Sequence, residues 1–255
     1  MKRLDRINRI MELLRERGNA TTEFLAVSLG ISESSVRRDI AYLARIPQYE
    51  GVRRVHGGLV YGKKPVEYMF ELKMSVNRGL KLDLARKAAE YISDGDSITI
   101  DSGTTCYLLA QCLHERRGLR VVATDLKVAE ALGLNNAIET NIISGVVRPG
   151  YYTVGGASAV EAVDRFCTEK VFMSVDSISV RQGITNASEF EVGVKRRLLQ
   201  RGGRVYLLVD ATKFGQNSFH RVADLAQHMV VITNRSLESA IAEDIREAGI
   251  ELILV

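Results

Sequence analysis

Cysteine and histidine are scarce in this chain of 255 residues, with three of the first and four of the second. Cys106, Cys112 and Cys167 form an odd set without Cys-x-x-Cys spacing, and no two histidines stand close together. Neither a disulfide framework nor a metal site is indicated. The cysteines are expected to serve as small apolar residues in a reduced interior. Long apolar runs are also missing, and none reaches the roughly 18 residues that a membrane-crossing helix needs. The opening Met-Lys-Arg-Leu-Asp-Arg is charged and lacks the apolar core of a signal peptide. A cytoplasmic location with no membrane partner is therefore expected.

What is present is a globular composition: 46% hydrophobic and 26% charged. The length allows one large domain, or a large one and a small one. The net charge of +4 is unevenly placed. Residues 1–64 hold 13 Lys/Arg against 7 Asp/Glu, a balance of +6, and the rest hold 22 against 24. A polyanionic partner is expected at the N-terminal quarter.

That quarter reads as three helices. Leu4 to Arg17 sets Ile7, Ile10, Met11 and Leu14 at helical spacing, and Gly18 ends the run. Thr21-Thr-Glu opens a shorter helix burying Leu25 and Leu29, which Gly30 closes. Ser32 caps a third, from Glu33 to about Arg45, with Val36, Ile40 and Leu43 inward. A short helix, a tight turn, and a helix with Ser34, Ser35, Arg37 and Arg38 in its first turns make the helix-turn-helix pattern. Hydroxyls and guanidinium groups suit base edges and phosphates. Val52-Arg-Arg-Val-His-Gly-Gly-Leu-Val-Tyr predicts a hairpin wing, with Arg53 and Arg54 on the DNA backbone or minor groove. His56 reads as a turn residue or a phosphate contact. The competing reading is a solvated three-helix module with ordinary surface arginines.

The remainder is organised around Ile98-Thr-Ile-Asp-Ser-Gly-Thr-Thr-Cys-Tyr-Leu-Leu-Ala. A strand runs into a glycine turn and then a helix, so Ser102, Gly103, Thr104 and Thr105 stand at the positive end of a helix dipole. That suits an anion such as phosphate; an ordinary β-to-α turn fits as well. Before and after it, apolar strands alternate with amphipathic helices. Strands are expected at 97–100, 120–123, 139–143, 151–154, 171–175, 205–209, 229–232 and 252–255. Helices are expected at 81–92, 105–113, 126–134, 157–166, 189–200 and 237–248. This pattern predicts a mostly parallel α/β sheet covered on both faces, with ligands at the carboxyl ends of its strands. Asp101, Thr124, Asp125, Asp176, Asp210 and Lys213 fall at such ends, and Lys195 lies on a helix that could converge there. Each, taken singly, also fits surface or salt-bridged structure.

Ser34-Ser-Val-Arg-Arg-Asp-Ile-Ala-Tyr-Leu, followed by Arg54-Val-His-Gly-Gly, resembles the DNA-binding head of DeoR-type bacterial transcriptional regulators. Asp101-Ser-Gly-Thr-Thr and Asp210-Ala-Thr-Lys-Phe-Gly are similar to that family's effector-domain motifs, and Lys195 falls on its Val-Lys. The resemblance covers nearly the whole chain. It implies a winged helix-turn-helix domain at 1–62, a linker at 63–80, and an effector domain at 81–255. The effector domain would share its fold with ribose-5-phosphate isomerase and glucosamine-6-phosphate deaminase. The resemblance further implies that residues 102–105 hold a phosphate and that Asp101, Lys195 and Lys213 complete the pocket. Glu71, Asn77 and Arg78 would relay ligand state to the head. Three departures stand out. Thr124-Asp125 replaces Thr-Asn, Ser144-Gly145 replaces Gly-Gly, and Ser174 and Ser177 replace glycines.

The function expected is a non-enzymatic, DNA-binding repressor of a carbohydrate operon, without a cofactor. A phosphorylated sugar metabolite would control it, and it would act as a homodimer or homotetramer on a double-stranded operator. The alternatives are a phosphosugar isomerase or deaminase carrying a DNA-binding head, and a structural nucleic-acid protein with a vestigial ligand fold.

Overall fold

The computed structural model describes residues 3–43, 52–55, 57–61 and 68–255. The chain divides into two compact units, one of residues 1–76 with 149–151, the other of 77–148 with 152–255.

The first unit begins with helix α1 (Arg3–Arg17), strand β1 (Asn19–Thr21), helix α2 (Thr22–Leu29) and helix α3 (Glu33–Leu43). Most of the expected stripes are buried: Ile7, Ile10, Met11 and Leu14 meet Leu25, Val36, Ile40 and Leu43 in one core, while Leu29, expected inside, is only partly buried against it. Thr21 caps α2 through its hydroxyl, which accepts from the Phe24 N–H at 3.0 Å. Gly30 ends the helix at φ 63°, where a side chain is strained. The expected extension of α3 to Arg45 lies outside the described residues. Strands β2 (Val52–Val55) and β3 (Gly58–Tyr61) form the expected antiparallel hairpin. Strand β1, which the sequence reading omits, pairs on the other side of β3. A Cβ at Gly58 would lie 2.2 Å from the Ala20 carbonyl oxygen, so only glycine lets β1 approach β3. The described part of the expected linker holds helix α4 (Tyr68–Ser75), whose lack of a clean apolar period hides it in sequence.

The second unit continues with α5 (Arg78–Ala89), β4 (Ser97–Ile100), α6 (Thr104–Gln111), β5 (Leu119–Ala123), α7 (Leu126–Gly133) and β6 (Ile138–Ile142). Then come β7 (Val146–Val147), β8 (Val154–Gly155), α8 (Ala157–Val163), β9 (Lys170–Met173), β10 (Ser177–Ser179) and β11 (Gly183–Asn186). The last elements are α9 (Glu189–Arg201), β12 (Arg204–Leu208), β13 (His220–Ala223), β14 (Met229–Thr233), α10 (Ser239–Glu247) and β15 (Glu251–Leu254). Seven strands form one sheet in the order β15-β14-β12-β9-β4-β5-β6, and every neighbouring pair is parallel. Its inner strands are buried along most of their length, as apolar runs in a doubly covered sheet must be. Strand β4 comes first in sequence and pairs with β5 on one side and β9 on the other. The strand order therefore reverses at β4, the place beyond the carboxyl ends where open α/β sheets hold their ligands.

Two expectations change. The strand expected at 151–154 is the short β8, which pairs with β7 in a separate ribbon and not in the main sheet. Strands β10, β11 and β13 form an antiparallel sheet that the sequence did not announce, because their residues are largely polar. Among the described residues, no helix is long and apolar enough to cross a membrane.

Candidate functional site

In the first unit, Ser34, Ser35, Arg37 and Arg38 lie in the first turns of α3, and all but half-buried Ser35 are exposed. Ser32 accepts from the Ser35 N–H at 3.3 Å, as expected of a cap, and its hydroxyl pairs with those of Ser34 (2.9 Å) and Ser35 (3.1 Å). Arg37 bonds Glu33 at 2.8 Å on the helix surface, and Arg38 reaches the Ser35 hydroxyl at 3.2 Å. Exposed contacts of this kind are weak and exchange readily for phosphate or base contacts. Arg53 and Arg54 fall on β2, but their side chains, like all of His56, lie outside the described residues.

Asp39 is a component that the sequence reading passed over. It sits among the buried positions of α3, at 1% exposure. Arg6 of α1 binds both its carboxylate oxygens, at 2.7 and 3.1 Å, and Arg3 lies 3.3 Å away. The Asp39 hydrogen bond is the main influence raising the Arg6 pKa. A charge at a core position of a recognition helix is the signal that points to this pin.

In the second unit, the predicted polar residues gather where the strand order reverses. Asp101 follows β4, is buried, and accepts from the Thr124 hydroxyl at 2.9 Å. Its other oxygen takes a hydrogen bond from Lys195 of α9. Lys195 also donates to the Ser174 carbonyl at 2.7 Å, just past the end of β9, and Glu191 lies 4.0 Å away, one helical turn earlier. Lys213 donates to the next carbonyl, that of Val175, at 2.7 Å. Asp176 follows and accepts from the Ala187 N–H at 3.0 Å. Asp210 caps a short turn at Ala211–Lys213 and lies 3.5 Å from the Asn77 side-chain amide, which sequence reasoning did not connect to it.

Gly103 stands before α6 at φ 109°, a conformation that disfavours side chains, and no side chain caps this helix. Ser102, Thr104 and Thr105 are buried around it. A Cβ on Gly103 would come within 3.8 Å of the Ser174 side chain, so the α6 turn and the end of β9 face each other. The other substituted serine, Ser177, pairs with Ser218 at 2.9 Å.

Burial sets the electrostatics here. It works to lower the Lys195 pKa, but the charges of Asp101 and Glu191 and the Asp101 hydrogen bond outweigh it and raise the pKa. Burial holds the Cys106 thiol protonated, with the Asp101 charge adding to the effect. Asp125 is completely buried, and its carboxyl is pushed up to about 6, first by burial, against the hydrogen bonds from the Lys127 and Val128 N–H groups and the pull of the Gly103 N–H. Cys167 is exposed, contrary to the expected interior position. Among the described residues, no cluster of three or more potential metal ligands is present.

Residues 6–64 match the DeoR-like helix-turn-helix domain, and residues 76–235 match the DeoR C terminal sensor domain. A protein of Escherichia coli (strain K12) described as a transcriptional regulator of the sgc region is 38% identical, over 99% of this chain and 97% of its own length. The glycerol-3-phosphate regulon repressor of the same organism is 26% identical over 100% of both chains. The transcriptional repressor GlcR of Bacillus subtilis (strain 168) is 28% identical over 98% of this chain and 95% of its own. Among solved structures, ribose 5-phosphate isomerase A of Methanocaldococcus jannaschii is 17% identical, with a TM-score of 0.40 over 54% of this chain and 55% of that one. A likeness that low adds nothing to the assignment. With both halves matched and a relative aligned almost end to end, the chain belongs to the DeoR family of DNA-binding transcriptional regulators.

Proposed function

We propose that this regulator is a cytoplasmic repressor of a carbohydrate-metabolism operon, released by a phosphorylated sugar or a closely related metabolite. The observation that carries the reading is the uncapped, glycine-turned start of α6 at the reversal of strand order. The leading N–H groups of a helix have no intrahelical acceptors, and the dipole favours an anion there. Ser102, Thr104 and Thr105 in this turn carry hydroxyls and are buried, and Asp101, just before the turn, is paired with the buried Lys195. Thr124, Asp125, Asp176, Asp210 and Lys213 are the remaining groups proposed to line the site, as partners for ligand hydroxyls or as supports. A relative named for the glycerol-3-phosphate regulon is consistent with a phosphate-bearing effector.

The head, 1–62, reads DNA through Ser34, Ser35, Arg37 and Arg38, with Arg53, Arg54 and His56 on the wing. Residues 63–80 link it to the effector domain, 81–255. One helix-turn-helix buries too little surface for a specific operator, so the acting species is at least a dimer. Control requires that the effector bind the DNA-free arrangement better than the DNA-bound one. The test is a gel shift on the DNA upstream of the protein's own operon, with and without a panel of pentose, hexose and triose phosphates. At least one compound is expected to release the DNA. If none does, and none raises the melting temperature, the effector reading fails. A turnover assay on the same panel separates the regulator from an isomerase or deaminase. No product is expected.

A further inference from the structure

Asp125 has one oxygen more than its structural task requires. It caps α7, with Oδ1 accepting from the N–H groups of Lys127 at 2.8 Å and Val128 at 3.3 Å. An asparagine or threonine oxygen would serve the same purpose. The second oxygen, Oδ2, is buried and completes no hydrogen bond among the described residues. A carboxylate in that condition is unfavourable unless something favours its charge. The N–H groups of Lys127 and Val128 do so from its own helix, and the Gly103 N–H does so from the start of α6. The carboxylate thus leans on the same positive helix end that the effector's phosphate is proposed to use.

The other charged and titratable neighbours leave it there. Asp101, from β4, repels it. Lys195, from α9, is bound to Asp101 and the Ser174 carbonyl. The thiol of Cys106, in the first turn of α6, is held protonated. Lys127, from α7, binds Glu130 at 2.7 Å and lies 5.3 Å from the Tyr152 ring centre. None of these groups hydrogen-bonds Oδ2.

We propose that Asp125 is a built-in competitor for the anion at the start of α6, so that binding a tetrahedral dianion there takes up one proton on this carboxyl. The inference rests on the reading of the α6 turn as an anion site. Two negative charges cannot share one buried helix end, and the carboxyl is the partner that can be neutralised. Below about pH 6 it is already protonated in the free protein, and affinity is flat. Above that, each pH unit lowers affinity about tenfold until the pKa of the bound form is passed. An asparagine at this position would impose no such dependence.

Sulfate is the probe, because it remains a dianion throughout this range, whereas phosphate itself titrates. Its binding to the full-length protein is measured by calorimetry at constant ionic strength from pH 5.5 to 8.5. Buffers of different ionisation enthalpy count the protons taken up. The wild type is expected to lose about tenfold in affinity per unit above pH 6.5, with uptake approaching one proton. Asp125→Asn is expected to remove the slope and to bind sulfate at least tenfold more tightly than wild type at pH 8. Thr104→Ala with Thr105→Ala is expected to abolish binding, which locates the ion. The wild-type slope needs no variant to fold: sulfate bound with no pH dependence leaves the anion site standing and overturns the competitor. The same slope in Asp125→Asn also overturns it. No sulfate binding by either protein at any pH overturns the anion site and the competitor together.

Discussion

At the Asp101–Lys195 contact, both side chains are about 2% exposed, and 94 residues of chain separate them. Bringing both charges out of water is costly, and only their mutual attraction, with the Thr124 hydroxyl and the Ser174 carbonyl, offsets that cost. Lys195→Met keeps much of the volume and leaves Asp101 with one hydroxyl. We expect a loss of about 3–5 kcal/mol, read by urea unfolding at pH 7. Adding Asp101→Asn should recover part of it, because the orphaned charge is then gone. A single variant as stable as wild type would show that the pair contributes nothing to the fold. Asp125 gives a second residue-level expectation with a definite sign. Its folded carboxyl is raised to about 6, so the folded state holds this proton where the unfolded chain has released it. Wild-type stability from this group is greatest below the ordinary carboxylate range, and it is lost as pH rises towards 6 and beyond. Relative to wild type, Asp125→Asn should therefore gain on the order of 2 kcal/mol between pH 4 and pH 8. A gap that stays constant over that range would remove the account.

Among the elements, the helix-turn-helix was legible because its signals are local. Thr21 and Ser32 cap, Gly30 breaks, and the apolar spacing of α1 and α3 marks the core. The parallel sheet was legible for the same reason: its strands are apolar runs separated by periodic helices. The small antiparallel sheet was not, since a strand such as Ser177–Ser179 carries no alternation strong enough to see. The site was half legible. Asp101, Gly103, Thr104 and Thr105 lie in one turn, but the carbonyls of Ser174 and Val175 that receive the two lysines leave no mark in side-chain chemistry. Glu191 did leave a mark, four residues before Lys195, and it went unused. The Asp39 pin belongs to this scale because it holds two elements together. Arg6 and Arg3 fix α1 against the recognition helix through a buried carboxylate. Asp39→Ala leaves two guanidinium groups without that acceptor and frees α3 to rotate. We expect the unfolding midpoint of the first unit to fall by several degrees. Operator affinity should fall with it, although Asp39 itself is buried. Unchanged gel shifts with this variant would mean that α3 is oriented by its apolar stripe alone.

For the whole molecule, the division of charge and the division into compact units nearly coincide. The balance of +6 lies within residues 1–64, and the first unit takes in residues 1–76 with 149–151. Each unit has its own apolar core, around Ile10, Leu25 and Ile40 in one and around Val171, Leu207 and Val231 in the other. Two cores of this kind tolerate surface substitutions independently, so the two binding activities should respond to separate changes. Arg37 is exposed, and its contact with Glu33 is a surface pair that gives way easily. Arg37→Ala should weaken operator binding sharply. If the guanidinium holds a phosphate, the salt dependence of binding should flatten by about one unit of slope; if it reads a base, discrimination at that base should relax instead. Either way, the rise in melting temperature that the effector produces should be unchanged. Thr104→Ala with Thr105→Ala should do the reverse, abolishing that rise while the effector-free protein still shifts the operator at wild-type concentration. The decisive comparison is therefore crossed, with two variants measured by two assays each. Equal damage to both activities by both variants would mean that DNA and metabolite are read by one coupled surface, and the separation of head from sensor would have to be abandoned.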